Sequence, residues 1–183
     1  SMFMQCNRNK KGVTLNPTKP EGREIQDKLI ATADVVIANM PPRALQGLGL
    51  DYDSLKAIKP DIILVTNTAF GTVGPYAKKV GFDSVAQAMS GNMVMSGSPS
   101  QPAKSFGPWV DYGTAGLCAF GTMAAIMHRN ATGEGQEVQG ALLATALMTT
   151  NSIMTEEHVT QRGRVPTGNR GQVSAPSDLF ATK

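Results

Sequence analysis

Three polar side chains in this 183-residue sequence have the type and setting to act on a substrate: Asp111, Asp83 and Asn39. A carboxylate can attack an electrophilic carbonyl, cap a helix or move a proton, and an amide can hold a ligand or satisfy a turn. Asp111 lies in the stretch 106–129, where Leu117, Phe120, Ala124 and Met127 recur at spacings of three and four. That spacing predicts a helix starting near Thr114 with those four residues on one face. It puts Asp111 in front of the helix, at the positive end of its dipole, where the ionised form is favoured. Capping and nucleophilic attack are both open to it. Asn39 precedes Met40, Pro41 and Pro42 and can satisfy that turn, while Asp83 can cap the helix that follows Gly81.

Other chemistries lack their residues. His128 and His158 stand alone in helical stretches, and Cys6 and Cys118 have neither metal-ligand nor disulfide-framework spacing, so no metal is expected. Gly71 and Gly74 follow a strand but precede Pro75 and not a helix, which is no dinucleotide fingerprint; residues 168–172 (GNRGQ) carry a loop or anion signal of the same grade. A formal charge of +3 with 17% charged residues, and a basic run no longer than Lys10 and Lys11, excludes a nucleic-acid partner. No stretch reaches the apolar length of a membrane span, and two isolated cysteines fit a reducing, cytoplasmic setting.

The elements that must position the three side chains read as an α/β fold. Residues 34–39 and 61–67 are continuous apolar runs, expected as strands covered on both faces, with short helical segments at 43–50 and 51–58 between them. Strand, helix, strand implies parallel neighbours, with Asn39 and Thr68 at one edge where α/β sheets bind ligands. Residues 13–15 are β-prone, 22–31 and 81–89 helical, 91–102 irregular, 136–138 a short strand and 141–154 an apolar helix. The polar stretch 155–167 reads as a linker leaving a domain formed by 1–154, and 168–183 as the start of another. Ser1 and Met2 look like the remnant of a removed tag, and the sequence ends as if in mid-element, so a fragment is expected.

Taken in order, residues 7–11 (NRNKK), 33–39 (ADVVIAN), 48–50 (LGL), 71–76 (GTVGPY), 81–83 (GFD), 87–91 (QAMSG), Asp111 and 132–136 (TGEGQ) resemble the family III CoA-transferases, which include formyl-CoA transferase and the methylacyl-CoA racemases. The resemblance implies a Rossmann-like parallel sheet with flanking helices as part of a large domain, the start of a small second domain, and a homodimer whose chains interlock. Family members are longer, so the sequence resembles the middle of such an enzyme.

The same resemblance places the family's nucleophile on Asp111, an acidic position near the reacting centre on Asp83, and coenzyme A contacts on Asn39, Met40 and Leu48. Phe82 lies beside them in the GFD motif. Residues 168–172 fall near a glycine-rich loop that shields the intermediates. Gly47 stands where the formyl-CoA enzyme has an arginine that helps hold CoA, so that contact is either absent or taken by nearby Arg43. The spacing from Asp111 to Gly116 is one residue longer than in several members. The expected reaction is transfer of CoA from an acyl-CoA to a carboxylic acid acceptor, with no metal. An epimerase of the racemase branch is the alternative, but that branch has Gly-His-Asp where this sequence has Gly81-Phe82-Asp83, and phenylalanine cannot carry a proton. A truncated, inactive CoA-binding fold is the reading from another class.

Overall fold

The two apolar runs do become neighbouring parallel strands, and a third strand joins them after a long helical crossover. The structure, a computed structural model, describes residues 2–182; Ser1 and Lys183, which close the two expected domains and include the suspected tag remnant, lie outside the described residues. Its elements are α1 (Met2–Cys6), α2 (Pro20–Thr32), β1 (Val35–Ala38), α3 (Pro42–Leu48), α4 (Tyr52–Ile58), β2 (Ile63–Thr68), α5 (Asp83–Met89), α6 (Asn92–Ser96), α7 (Trp109–Thr132), β3 (Glu137–Ala141) and α8 (Leu142–Thr160). The sheet order is β1-β2-β3, both pairings parallel, with Ala38 opposite Thr66 and Thr68 opposite Ala141.

β2 is central, and the alternation of side chains along a strand divides its apolar run between two cores. Leu64, together with Ile62 just before the strand, packs with Ile30 of α2 and Leu55 of α4 on one face. Ile63 and Val65 pack with Cys118 and Ala125 of α7 on the other. A third cluster joins Ala86 of α5, Val110 of α7, and Leu142 and Ala146 of α8. β1 meets the expectation only in part: Val35 and Val36 pack on opposite faces, but Ile37 is 75% exposed, so the α7 face of this edge strand is covered only at its start. Residues 13–15 form no strand, since no sheet edge pairs with them.

The helix around Asp111 departs from expectation twice. It begins at Trp109 and not near Thr114, so Asp111 sits in its first turn. Its buried stripe is Val110, Thr114, Cys118 and Ala125, while Leu117, Phe120, Ala124 and Met127 face outward, with Phe120 76% exposed. The physical reason is close approach. A side chain on Gly140 of β3 would collide with the Cys118 sulfur and press on Thr114, so the small face of α7 reaches the sheet where bulky residues would be held away.

Gly133, with φ of 79°, ends α7 in the left-handed conformation that glycine adopts without strain. Arg129 in the last turn donates to the carboxylate and the backbone carbonyl of Asp34, just before β1, at 3.1 and 3.3 Å. The C-terminus of α7 is thereby tied to the starting edge of the sheet. The helix spans roughly 36 Å at 1.5 Å per residue, so its N-terminus and Asp111 reach the opposite edge, where the strands end.

α8 continues through Thr160, so the first residues of the expected linker are helical. Beyond it, residues 161–182 contain no helix or strand and are tied locally: Arg164 pairs with Glu156 and donates to Gln172, and the Gly171 N–H donates to the Ser177 carbonyl.

Candidate active site

An α-helix leaves its first four N–H groups without intrahelical partners, and how α7 satisfies them defines the site. Pro108, at the cap position, makes no side-chain cap. The Trp109 N–H donates to the Gly107 carbonyl at 2.9 Å, and the Tyr112 N–H to the Pro108 carbonyl at 3.2 Å. The N–H groups of Val110 and Asp111 both donate to one carboxylate oxygen of Asp83, at 2.9 and 3.2 Å. α7 is therefore capped from another helix, by a residue 27 positions before Val110. No sequence rule for local caps finds such a partner, which is why the helix starts earlier than its sequence signals.

Asp83 is only 6% exposed, so it lies beneath the site and not on its rim. Its other oxygen accepts the side-chain amide N–H of Gln87, one helical turn along α5. Gln87 is in turn fixed by the Ser105 N–H, which donates to its carbonyl oxygen at 3.0 Å. This network was invisible as a motif, although the i, i+4 spacing of Asp83 and Gln87 was a trace of it.

Asp111 does not cap. Its side chain is exposed, and among the described residues no donor is hydrogen-bonded to its carboxylate. Partial burial and, after it, the charge of Asp83 raise its pKa above the ordinary carboxylate value. The helix dipole, which favours the anion, is outweighed by the partial loss of water around the carboxylate and, after it, by the charge of Asp83 at the same helix end. Behind Asp111, the Thr114 hydroxyl donates to the Val110 carbonyl at 2.7 Å and meets the Thr145 hydroxyl of α8 at 2.8 Å, both buried.

The sheet edge beside this helix end holds a cavity of about 230 Å³ lined by Asn39, Pro41, Pro42, Thr68, Ala69 and residues 77–82. Asn39 and Thr68 thus share one edge, as the parallel pairing requires. A side chain at Gly81 would press on Ala69 and Phe70, so glycine lets this loop lie close against the end of β2. Phe82 is 76% exposed at the cavity wall, and the peptide joining it to Asp83 links cavity and cap network. Lys78 and Lys79, which were not singled out from sequence, also line the cavity and bring positive charge to it.

Met40, Arg43 and Leu48 flank this edge without lining the cavity. The Leu48 carbonyl is committed to the fold, accepting from Arg23 and Gln26 of α2. Residues 168–172 border spaces formed with their own C-terminal segment and α8. Among the described residues no group of three or more His, Cys, Asp or Glu is placed to hold a metal, and no helix is long and apolar enough to cross a membrane.

Comparison with known proteins places the chain in a family. The family model described as CoA-transferase family III matches residues 1–183. The chain is 33% identical over 176 residues to the succinyl-CoA–D-citramalate CoA-transferase of Chloroflexus aurantiacus, covering 96% of this chain and 44% of that one. It is 39% identical over 142 residues to the succinate–glutarate CoA-transferase of Agrobacterium fabrum, covering 77% of this chain and 36% of that one. A crystal structure of a CAIB/BAIF family protein from Brucella suis superposes with a TM-score of 0.87 at 34% identity, covering 96% of this chain and 47% of that one. The chain spans under half the length of these relatives.

Proposed function

This chain belongs to CoA-transferase family III, and from that premise we propose that the protein carrying it transfers coenzyme A from an acyl-CoA donor to a carboxylic acid through a covalent intermediate on Asp111. The observation that carries the reading is the Asp111 carboxylate itself: exposed, without a hydrogen-bond donor among the described residues, and held by its own backbone at a helix end. A carboxylate committed to capping has its lone pairs occupied; this one does not, because Asp83 has taken that role. Its raised pKa also makes its anion a stronger nucleophile than an ordinary carboxylate.

In the proposed sequence an Asp111 oxygen attacks the thioester carbonyl carbon. The carbon–sulfur bond breaks and CoA leaves as thiolate, giving a mixed anhydride. The thiolate then attacks the Asp111 carbonyl carbon and expels the donor acid as carboxylate, leaving an aspartyl-CoA thioester. An acceptor carboxylate attacks that thioester in the same way, and the returning thiolate regenerates Asp111 and forms the product. No net proton moves in any step, so the sequence needs no proton carrier beside Asp111.

Coenzyme A is placed along the 77–82 cavity, with Lys78 and Lys79 facing its phosphates, Asn39 and Phe82 along its length, and Met40, Arg43 and Leu48 at its flank. A cavity of about 230 Å³ is smaller than the ~300–1,000 Å³ that enclose a drug-sized ligand, so it takes part of the cofactor only. Asp83 acts from beneath, as a positioning residue. Epimerisation would need a proton carrier where Phe82 stands. The outward apolar stripe of α7 supports association with a second copy, and the two free cysteines support a reducing, cytoplasmic setting.

Incubating the full-length natural polypeptide with acyl-CoA, adding hydroxylamine and mapping peptides by mass tests the reading. A hydroxamate on Asp111 is the expected result. Full transfer by Asp111→Asn overturns it, since an amide is a far poorer nucleophile.

A further inference from the structure

We propose that Gln87 is a positioning residue for the Asp111 nucleophile: its buried amide orients the Asp83 carboxylate so that it grips the backbone of Asp111. The inference rests on the reading of Asp111 just given. Gln87 is 1% exposed, and both ends of its amide are used. Because the Ser105 N–H must donate to an acceptor, the Gln87 carbonyl oxygen faces Ser105, and the NH₂ is left for Asp83. Asp83 can then spend its second oxygen on Val110 and Asp111.

Among side chains of this size, glutamine alone accepts at one end and donates at the other in every protonation state. Leucine does neither, and glutamate donates only when protonated. The Gln87 amide meets Asp83 of its own helix and Ser105 of the connecting loop, Asp83 in turn holds Val110 and Asp111 of α7, and the neighbouring Ala86 packs on Val110, Leu142 and Ala146. Asp83 and Asp111 are the titratable groups among them.

Gln87→Glu separates positioning from bulk, because it keeps shape and the acceptor for Ser105. At pH values where the new carboxyl is protonated, transfer should match wild type. As it ionises it repels Asp83, and kcat should fall by about tenfold or more with KM little changed, since small displacements of a reacting group are costly. Gln87→Leu should lower kcat at all pH values. Carbon-13 carboxyl titration of Asp111 should shift in both variants, together with the amide proton resonances of Val110 and Asp111.

Wild-type kcat and an unshifted Asp111 titration in folded Gln87→Glu, at every pH, overturn the proposal even where Gln87→Leu fails to fold. Transfer lost in Asp111→Asn but intact in the Gln87 variants leaves the nucleophile standing and removes the positioning role alone. Transfer retained in Asp111→Asn removes both, and the titration then still reports whether Gln87 acts on Asp111.

Discussion

The carboxylate of Asp83 accepts the backbone N–H of Asp111 at 3.2 Å across 28 residues of sequence. One acidic side chain thus fixes another by its main chain and leaves the second carboxylate unoccupied. The same contact brings two negative charges together at one helix end, and that conflict is tolerable because three N–H groups, from Val110, Asp111 and Gln87, converge on Asp83.

Asp83→Ala should therefore destabilise more than loss of an ordinary cap. A cap is worth about 1 kcal/mol, and the Gln87 amide is also left buried without its acceptor, at ~1–3 kcal/mol. A loss of about 2–4 kcal/mol in urea unfolding is expected. Asp83→Asn should recover only part of it: its oxygen can serve the helix, but its NH₂ then faces the NH₂ of Gln87, which Ser105 prevents from turning over.

The raised pKa of Asp111 gives a pH dependence of definite sign. Between its ordinary and raised values the folded state binds more protons than the unfolded state, so stability falls as pH rises through that window. Asp111→Asn removes the cost. The variant should melt slightly above wild type at neutral pH, by about 0.5 kcal/mol or less because the side chain is exposed, with the difference vanishing below the ordinary carboxylate range. Transfer should decline as pH falls through the raised value, where the nucleophile becomes protonated.

The parallel β1–β2 pair and the shared edge of Asn39 and Thr68 were legible because apolar runs of strand length followed by Pro or a polar turn are local signals. Asp111 was legible as a carboxylate at a helix end. Its exact place in the helix was not, since Asp83 supplies the cap through space. Nor was the face of α7, because the longest apolar side chains define the period while the small ones, Thr114, Cys118 and Ala125, make the contact. The same blindness hid Gln87, a polar residue whose two partners are Asp83 on its own helix and Ser105 in a loop 18 residues away.

Gly140 tests the close approach that decides this. Gly140→Ala should cost about 1–3 kcal/mol, the usual range for overpacking a dense contact, because its methyl group meets the Cys118 sulfur and Thr114. Combining it with Cys118→Ala should recover part of the loss in chemical denaturation, as removing the sulfur makes room.

The two faces of α7 should respond in opposite ways to substitution. Ala125 is 1% exposed against β2, so Ala125→Leu should destabilise by about 1–3 kcal/mol through overpacking. Phe120 and Met127 project into solvent, so Phe120→Lys and Met127→Lys together should leave the melting temperature within a degree or two. Their effect should appear in association. Leu117, Phe120, Met123 and Met127 form an exposed apolar stripe of the kind that drives contact between chains, and sedimentation velocity should show concentration-dependent self-association of the parent that the double lysine variant lacks. A parent that sediments as a monomer at every concentration, or a double variant that unfolds like Ala125→Leu, would mean that this face of the helix is not an interface or is not exposed.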